Sequence, residues 1–332
     1  MKKLFTIVCA LCLCLVSSLC FVGCKKDDLA NGKIRINEVT HSVFYAPLYV
    51  AINLGYMKDV GIDIELTNGG GSDASMTALL SGSADIALMG PETVVYVEAA
   101  GSTNHPVVFG QLTKKDGSFL VSKTPVLNFD FSTSLIGKTA IIGRNGGMPA
   151  MTFEWISKNA GLINGTNVTF DKETAFNMMV SVFESTNAEF CTMFEPTASE
   201  FVAAGKGYMV GSVGEFSGEI PYTCFMAYPE FLTNNKELAS NFLKAIKKAY
   251  LYITTHSSSD VAKALKPSFD GSSEASLAIA VEKYIEIDAW SNSPAMSKDS
   301  YQRLLSVLKS AGTITEDIEF SKVVNNSIAN EI

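Results

Sequence analysis

The chain is poor in the residues that build metal and redox centres. It has three histidines, His41, His105 and His256, far apart in sequence. Of its seven cysteines, Cys9, Cys12, Cys14 and Cys20 fall in an N-terminal apolar run, and only Cys191 and Cys224 lie beyond Cys24. There is no CxxC pair after that point, so neither a metal site nor a cofactor is expected. One disulfide between Cys191 and Cys224 is conceivable outside the cytoplasm. Cys191 sits in an expected buried strand, however, which favours two small buried hydrophobes. The chain also lacks GxSxG, HExxH, a Walker A loop and a GxGxxG fingerprint, so no enzyme constellation is visible. No cluster of basic residues follows Lys25-Lys26, and the formal net charge is −8. That balance excludes nucleic acid as an expected partner.

Hydrophobic residues, by contrast, make up 47% of the 332 positions. That suits one large or two medium domains with real cores. The N-terminus reads as an export signal: Met1-Lys2-Lys3 is basic, residues 4–22 are apolar, and Gly23-Cys24 precedes a polar stretch. A cysteine straight after a small residue is the pattern of bacterial lipoprotein signals. Residues 1–23 are therefore expected to be removed, Cys24 to be lipidated, and 24–32 to serve as a tether. The alternative is an uncleaved apolar anchor.

The stretch 81–93, Ser-Gly-Ser-Ala-Asp-Ile-Ala-Leu-Met-Gly-Pro-Glu-Thr, is the centre of the pattern. It predicts a short buried strand at 86–88, a Gly-Pro break and a helix over 92–100. Shifted by 104 residues, 81–101 falls on 185–205 with seven identities in 21 positions, among them Ala84/Ala188, Met89/Met193 and Thr93/Thr197. The same shift carries 61–66 onto 165–170 and 33–39 onto 137–143. Two lobes of one βαβαβα plan are expected, with matching strand-end turns facing each other across a cleft. Strands are expected at 34–39, 62–66, 107–112, 119–121, 139–142, 168–170, 190–193, 209–212 and 224–228. Helices are expected at 46–54, 74–80, 150–158, 175–183 and 197–204. After residue 228 the chain is mostly helical, with an apolar stripe of Leu238, Phe242, Ile246, Ala249 and Ile253.

Several residues are candidates for the cleft. Gly69-Gly70-Gly71 with Ser72, and Gly146-Gly147 with Met148, precede helices, where backbone N–H groups can meet a polar ligand. Each could equally be a simple turn. His41, Ser42, Phe44 and Tyr45 follow the first strand; His41 is either a solvated loop residue or a contact, and the rings either stack on a planar ligand or close a core. Arg144 suits an anion or a surface ion pair. Glu92 and Glu195 sit at helix starts, where the dipole alone explains them. Tyr222 lies at the return crossing, as a hinge or a pocket residue.

Thr40-His41-Ser42, residues 46–51 (Ala-Pro-Leu-Tyr-Val-Ala), residues 82–87, Gly90-Pro91-Glu92, Gly137-Lys138-Thr139 and Glu195-Pro196 have a familiar order. The chain resembles the nitrate/sulfonate/taurine and thiamine-precursor group of periplasmic-type binding proteins of ABC importers, from residue 33 to about residue 320. The resemblance implies an α/β, two-lobed type II periplasmic-binding-protein fold, each lobe a mixed sheet flanked by helices, with two crossover strands. It implies lobes of 33–117 plus 224–332 and of 118–223. It places a ligand around Ser42, Tyr45, Gly70 to Ser72, Met89, Gly90, Pro91, Glu92, Gly146 to Met148, Phe194 and Glu195. The implied partners are a small solute, an ABC permease with its ATPase subunits and a membrane reached through the lipid; a monomer is expected. The implied solute is sulfonate-, taurine- or nitrate-like, with a thiamine pyrimidine precursor or other heterocycle as the alternative. The chain lacks the cysteine-rich run of the pyrimidine-synthesising relatives, so it is not expected to be an enzyme. An exported enzyme or a sensory lipoprotein on the same fold are the competing readings.

Overall fold

The computed structural model describes Leu29 and residues 32–332. Cys24, the expected signal segment and most of the expected tether lie outside the described residues. Ten strands form two five-stranded mixed sheets. The first contains β1 (Lys33–Glu38), β2 (Asp63–Asn68), β3 (Ile86–Met89), β4 (Val107–Thr113) and, much later in the chain, β10 (Thr223–Ala227). The second contains β5 (Ser118–Ser122), β6 (Thr139–Ile141), β7 (Thr169–Asp171), β8 (Phe190–Phe194) and β9 (Tyr208–Ser212).

The strand orders are β2-β1-β3-β10-β4 and β7-β6-β8-β5-β9. They are the same plan. β1 pairs in parallel with β2 and β3, and β6 in parallel with β7 and β8. The fourth strand of each sheet, β10 or β5, is antiparallel to both neighbours. The chain crosses from one sheet to the other at 114–117 and returns at 218–222. The 104-residue shift therefore extends to the crossover strands, since it moves 118–122 onto 222–226, over β10. Strands β3, β4, β5 and β10 are buried along their whole lengths, because helices cover both sheet faces, and apolar residues dominate their centres.

After β10 the chain packs as helices against the first sheet. The long helix Lys236–Thr255 buries Phe242, Ile246, Ala249 and Ile253 of the expected stripe, while Leu238 is half-buried. Serine side chains start the later helices: Ser257, Ser273 and Ser297 each accept a backbone N–H three residues on. Two details differ from the sequence reading. Residues 175–183 open as a 3-10 turn, Phe176–Met178, before the α-helix Met179–Ser185. The return crossing is preceded by a short helix, Val213–Ser217, capped by the Ser212 hydroxyl. That polar-apolar run is too short for its periodicity to be read.

Cys191 on β8 and Cys224 on β10 lie in separate sheets as buried free thiols. Burial pushes both thiols up, so neither is reactive. A chain cut to residues 25–332 is expected to resist alkylation by iodoacetamide when native and to take two groups when denatured. Fast labelling of the native protein would contradict this packing.

Candidate functional site

A cavity of about 400 Å³ opens between the two sheets. It lies at the carboxyl ends of the parallel strands, where open α/β sheets bind ligands. The first sheet contributes the segments after β1 (Thr40, Ser42, Phe44, Tyr45), after β2 (Asn68, Gly70, Gly71, Ser72) and after β3 (Gly90, Glu92). The second contributes the segments after β6 (Arg144, Gly147, Met148), after β7 (Phe176, Asn177) and the end of β8 (Phe194). Tyr222 and Thr223 enter from the return crossing.

The walls are largely aromatic. Phe44 is central: its ring lies 5.7 Å from Tyr45, 5.6 Å from Phe194 and 5.9 Å from Tyr222. Phe176 stands 5.6 Å from Phe194 on the far side. Two features hold Phe44. Trp290 Nε1 donates to its carbonyl at 2.8 Å, and Gly117 leaves room for its ring, since a Cβ there would come within 2.5 Å. Trp290, 2% exposed, is thus packed in the core and supports the cavity wall from behind.

One carboxyl group lies in this wall. Glu92 begins the helix Glu92–Ala99 and is only 3% exposed. Its Oε2 has no hydrogen-bond partner among the described residues. Gly90 makes room for it: a Cβ on Gly90 would lie 2.0 Å from Glu92 Oε2. Burial pushes the Glu92 carboxyl up to about 8, so it is mostly protonated at neutral pH. Near the crossing, Asp116 Oδ1 accepts from Ser118 N at 2.7 Å and from Ser118 Oγ at 2.6 Å, and burial raises this carboxyl to about 6.

Arg144 lines the cavity mouth, but its Nη2 lies 3.2 Å from Asp73 Oδ1. Both side chains are exposed, and the pair joins a loop of the second sheet to the helix Ser72–Leu80 beside the first. Tyr96 Oη, which donates to Met151 Sδ at 3.4 Å, makes a second contact of this kind.

Twelve of the residues expected at the site line the cavity: Ser42, Tyr45, Gly70, Gly71, Ser72, Gly90, Glu92, Arg144, Gly147, Met148, Phe194 and Tyr222. Five do not. Met89 and Pro91 are buried in the strand-turn that carries Gly90 and Glu92, and Gly146 forms the left-handed turn at φ +77 that precedes Gly147. Glu195 accepts from Ser199 N at 3.2 Å and from Ser199 Oγ at 2.7 Å, and so caps the helix Thr197–Ala203. Its backbone N–H donates to Tyr284 Oη at 3.1 Å. His41 bonds Glu38 Oε1 through Nδ1 at 2.9 Å and the Ser268 carbonyl through Nε2 at 2.7 Å. Both partners can accept, and Tyr49 Oη also lies 3.1 Å from Nδ1, an arrangement that favours the protonated ring. Its pKa is raised, chiefly by the Glu38 bond. Asn68, Phe176 and Asn177 went unread. The 104-residue shift carries Gly70 to Ser72 onto 174–176, and so pointed to Phe176.

Among the described residues, no group of three His, Cys, Asp or Glu side chains comes together to hold a metal. No helix of the described residues is long and apolar enough to cross a membrane.

Two equivalent lobes around a cleft at their strand ends define a protein of the periplasmic-binding-protein fold. Solved structures share it. One is the alkanesulfonate-binding protein SsuA from Xanthomonas axonopodis pv. citri bound to MOPS, with TM-score 0.68 and 12% identity over 89% of this chain and 98% of that one. Another is the ligand-binding component of an ABC-type import system from Staphylococcus aureus with zinc bound, with TM-score 0.69 and 15% identity over 90% and 98%. In sequence, residues 43–259 match the family described as NMT1/THI5 like. YtlA of Bacillus subtilis (strain 168), whose name describes a binding protein, is 37% identical over 310 residues, 93% of this chain and 92% of its own length. The chain belongs to the NMT1/THI5-like family. The names of these relatives describe binding proteins.

Proposed function

We propose that this chain is the extracytoplasmic solute-binding component of an ABC importer. It acts as a monomer tethered by a lipid on Cys24, and it delivers its solute to a permease driven by ATPase subunits. The observation that carries the reading is the cavity between the sheets, lined from both sides and from the crossing. Its lobes are 33–117 plus 224–332 and 118–223, and they close by bending at the two crossings. A solute touching both lobes favours the closed form, and the permease distinguishes closed from open. No bond in the solute changes; the energy for transport comes from the partner ATPases.

For the solute, a sulfonate, taurine or nitrate finds glycine-loop amides and Arg144, but Arg144 is already paired with Asp73. Five rings and an unpartnered carboxyl favour a flat heterocycle, of which a thiamine pyrimidine precursor is one member. Thermal unfolding against taurine, alkanesulfonates, nitrate, thiamine pyrimidines and other flat heterocycles tests both. A solute at about 100 times its Kd adds roughly 2.7 kcal/mol, a clear upward shift. A shift with the heterocycles alone is expected. A shift with sulfonates alone would restore the oxyanion reading. Silence across the panel after refolding, with solute uptake unchanged in a strain lacking the chain, would overturn the importer role.

A further inference from the structure

One buried polar atom of the cavity wall, Glu92 Oε2, has no hydrogen-bond partner among the described residues. Tyr222 Oη and Asp116 Oδ2 lie beside each other and can serve as mutual partners. A buried polar atom left unpaired is unfavourable, more so if it is charged. Glu92 Oε2 points to a missing partner. No lysine or histidine lines the cavity, and its one cationic residue, Arg144, is engaged with Asp73 at the mouth. The titratable groups facing Glu92 are Tyr45, Tyr96, Tyr222 and Cys224, all held neutral because burial pushes their values up. No cationic side chain of the wall faces Glu92; only the start of its own helix and a backbone N–H offset a negative charge there.

We infer that the solute is a flat cation carrying an amidine-like edge of N–H donors, which pairs with Glu92 as a carboxylate. The inference rests on the cavity being the solute site. The ring fills the space between Phe44, Tyr45, Phe194 and Tyr222, and one face of a cation stacks well on such rings. The N–H edge reaches Glu92 Oε2, forming the charge-assisted contact that the empty site lacks. The balance is simple. The Glu92 O–H bond breaks, its proton goes to solvent, and the cation replaces it. A sulfonate could only accept from the protonated Glu92 O–H, a contact that releases no proton and brings no opposite charge to the wall, since Arg144 is engaged with Asp73.

Three probes share one ring and differ in charge: benzamidine, benzamide and benzenesulfonate. Calorimetric titration of the purified chain at neutral pH, in phosphate and in Tris, reads affinity and proton release together, because the two buffers differ in protonation enthalpy. Benzamidine is expected to bind at least about tenfold more tightly than benzenesulfonate, a difference of about 1.4 kcal/mol. It is also expected to release close to one proton. Glu92→Gln is expected to lose both the preference and the buffer dependence while still binding benzamide. Should that variant not fold, the wild-type proton count and Tyr222→Phe, expected to weaken benzamidine with the release retained, carry the test. Equal or tighter binding of benzenesulfonate, or benzamidine binding with no proton released, overturns the cation and leaves the cleft as a solute site. Failure of all three to bind at millimolar concentration also overturns it. In that case a shift with any solute of the thermal panel keeps the importer reading alive.

Discussion

The ligand-free protein is expected to lose stability as pH rises from about 4.5 to about 8, and Glu92→Gln is expected to remove most of that loss. Unfolded, Glu92 titrates near 4.5; folded, burial moves it up to about 8. Between those values the native state holds a proton that the unfolded state has released. The contribution is therefore complete below about 4.5 and declines as pH rises through 8. One such proton gives a slope on the order of 1.4 kcal/mol per pH unit. Asp116 adds a second loss in the same direction, between 3.8 and about 6. His41 also acts in this direction, because its pKa is raised above 6.5 and its two donated bonds weaken when the ring loses a proton. The variant separates these. Asp116 and His41 titrate in both proteins, so urea unfolding at several pH values should give slopes that differ by about one proton between about pH 4.5 and 8. Parallel slopes would mean that Glu92 is ionised in the empty cavity.

The largest effect on stability is expected at Phe225. It lies on β10, fully buried, with its ring 4.8 Å from Phe242 in an edge-on contact and 6.4 Å from Phe109. Gly110 on β4 leaves room for this cluster: a Cβ there would come within 2.5 Å of Leu243 and 3.5 Å of Phe225. Phe225→Ala leaves a void among residues fixed by two neighbouring strands and the helix Lys236–Thr255, so little collapse can fill it. The expected loss is about 3–5 kcal/mol. Equilibrium unfolding monitored by circular dichroism measures it. A loss under about 1 kcal/mol would mean that the sheet relaxes around the gap.

The βαβ architecture was readable because the strands are short, alternate or run apolar, and are set off by turns rich in glycine and proline. The duplication fixed their order: Ala84/Ala188 and Met89/Met193 align two strand ends, and those ends face one cavity. Glycine and aromatic positions at the site, such as Gly70, Phe194 and Tyr222, followed from their place after strands. Charge was harder to read. Glu92 and Glu195 stand at equivalent helix starts with the same plausible dipole role. Only tertiary packing separates them: Ser199 satisfies Glu195, while none of the described residues satisfies Glu92 Oε2. Arg144 was legible as a cation at the cleft, but its partner Asp73 is 71 residues away and no local pattern links them. His41 was drawn toward Glu38 and Ser268, the latter 227 residues distant.

The crossover strands also set an order of completion for the chain. β10 sits between β3 and β4, yet it is made more than a hundred residues after them. As the polypeptide leaves the ribosome, the earlier sheet waits with a gap in its middle until residue 227 has emerged. The later sheet is whole once residue 212 has appeared, fifteen residues sooner. The half begun second is therefore the half that can finish first, and no cut between the halves yields a C-terminally truncated first lobe with a closed sheet.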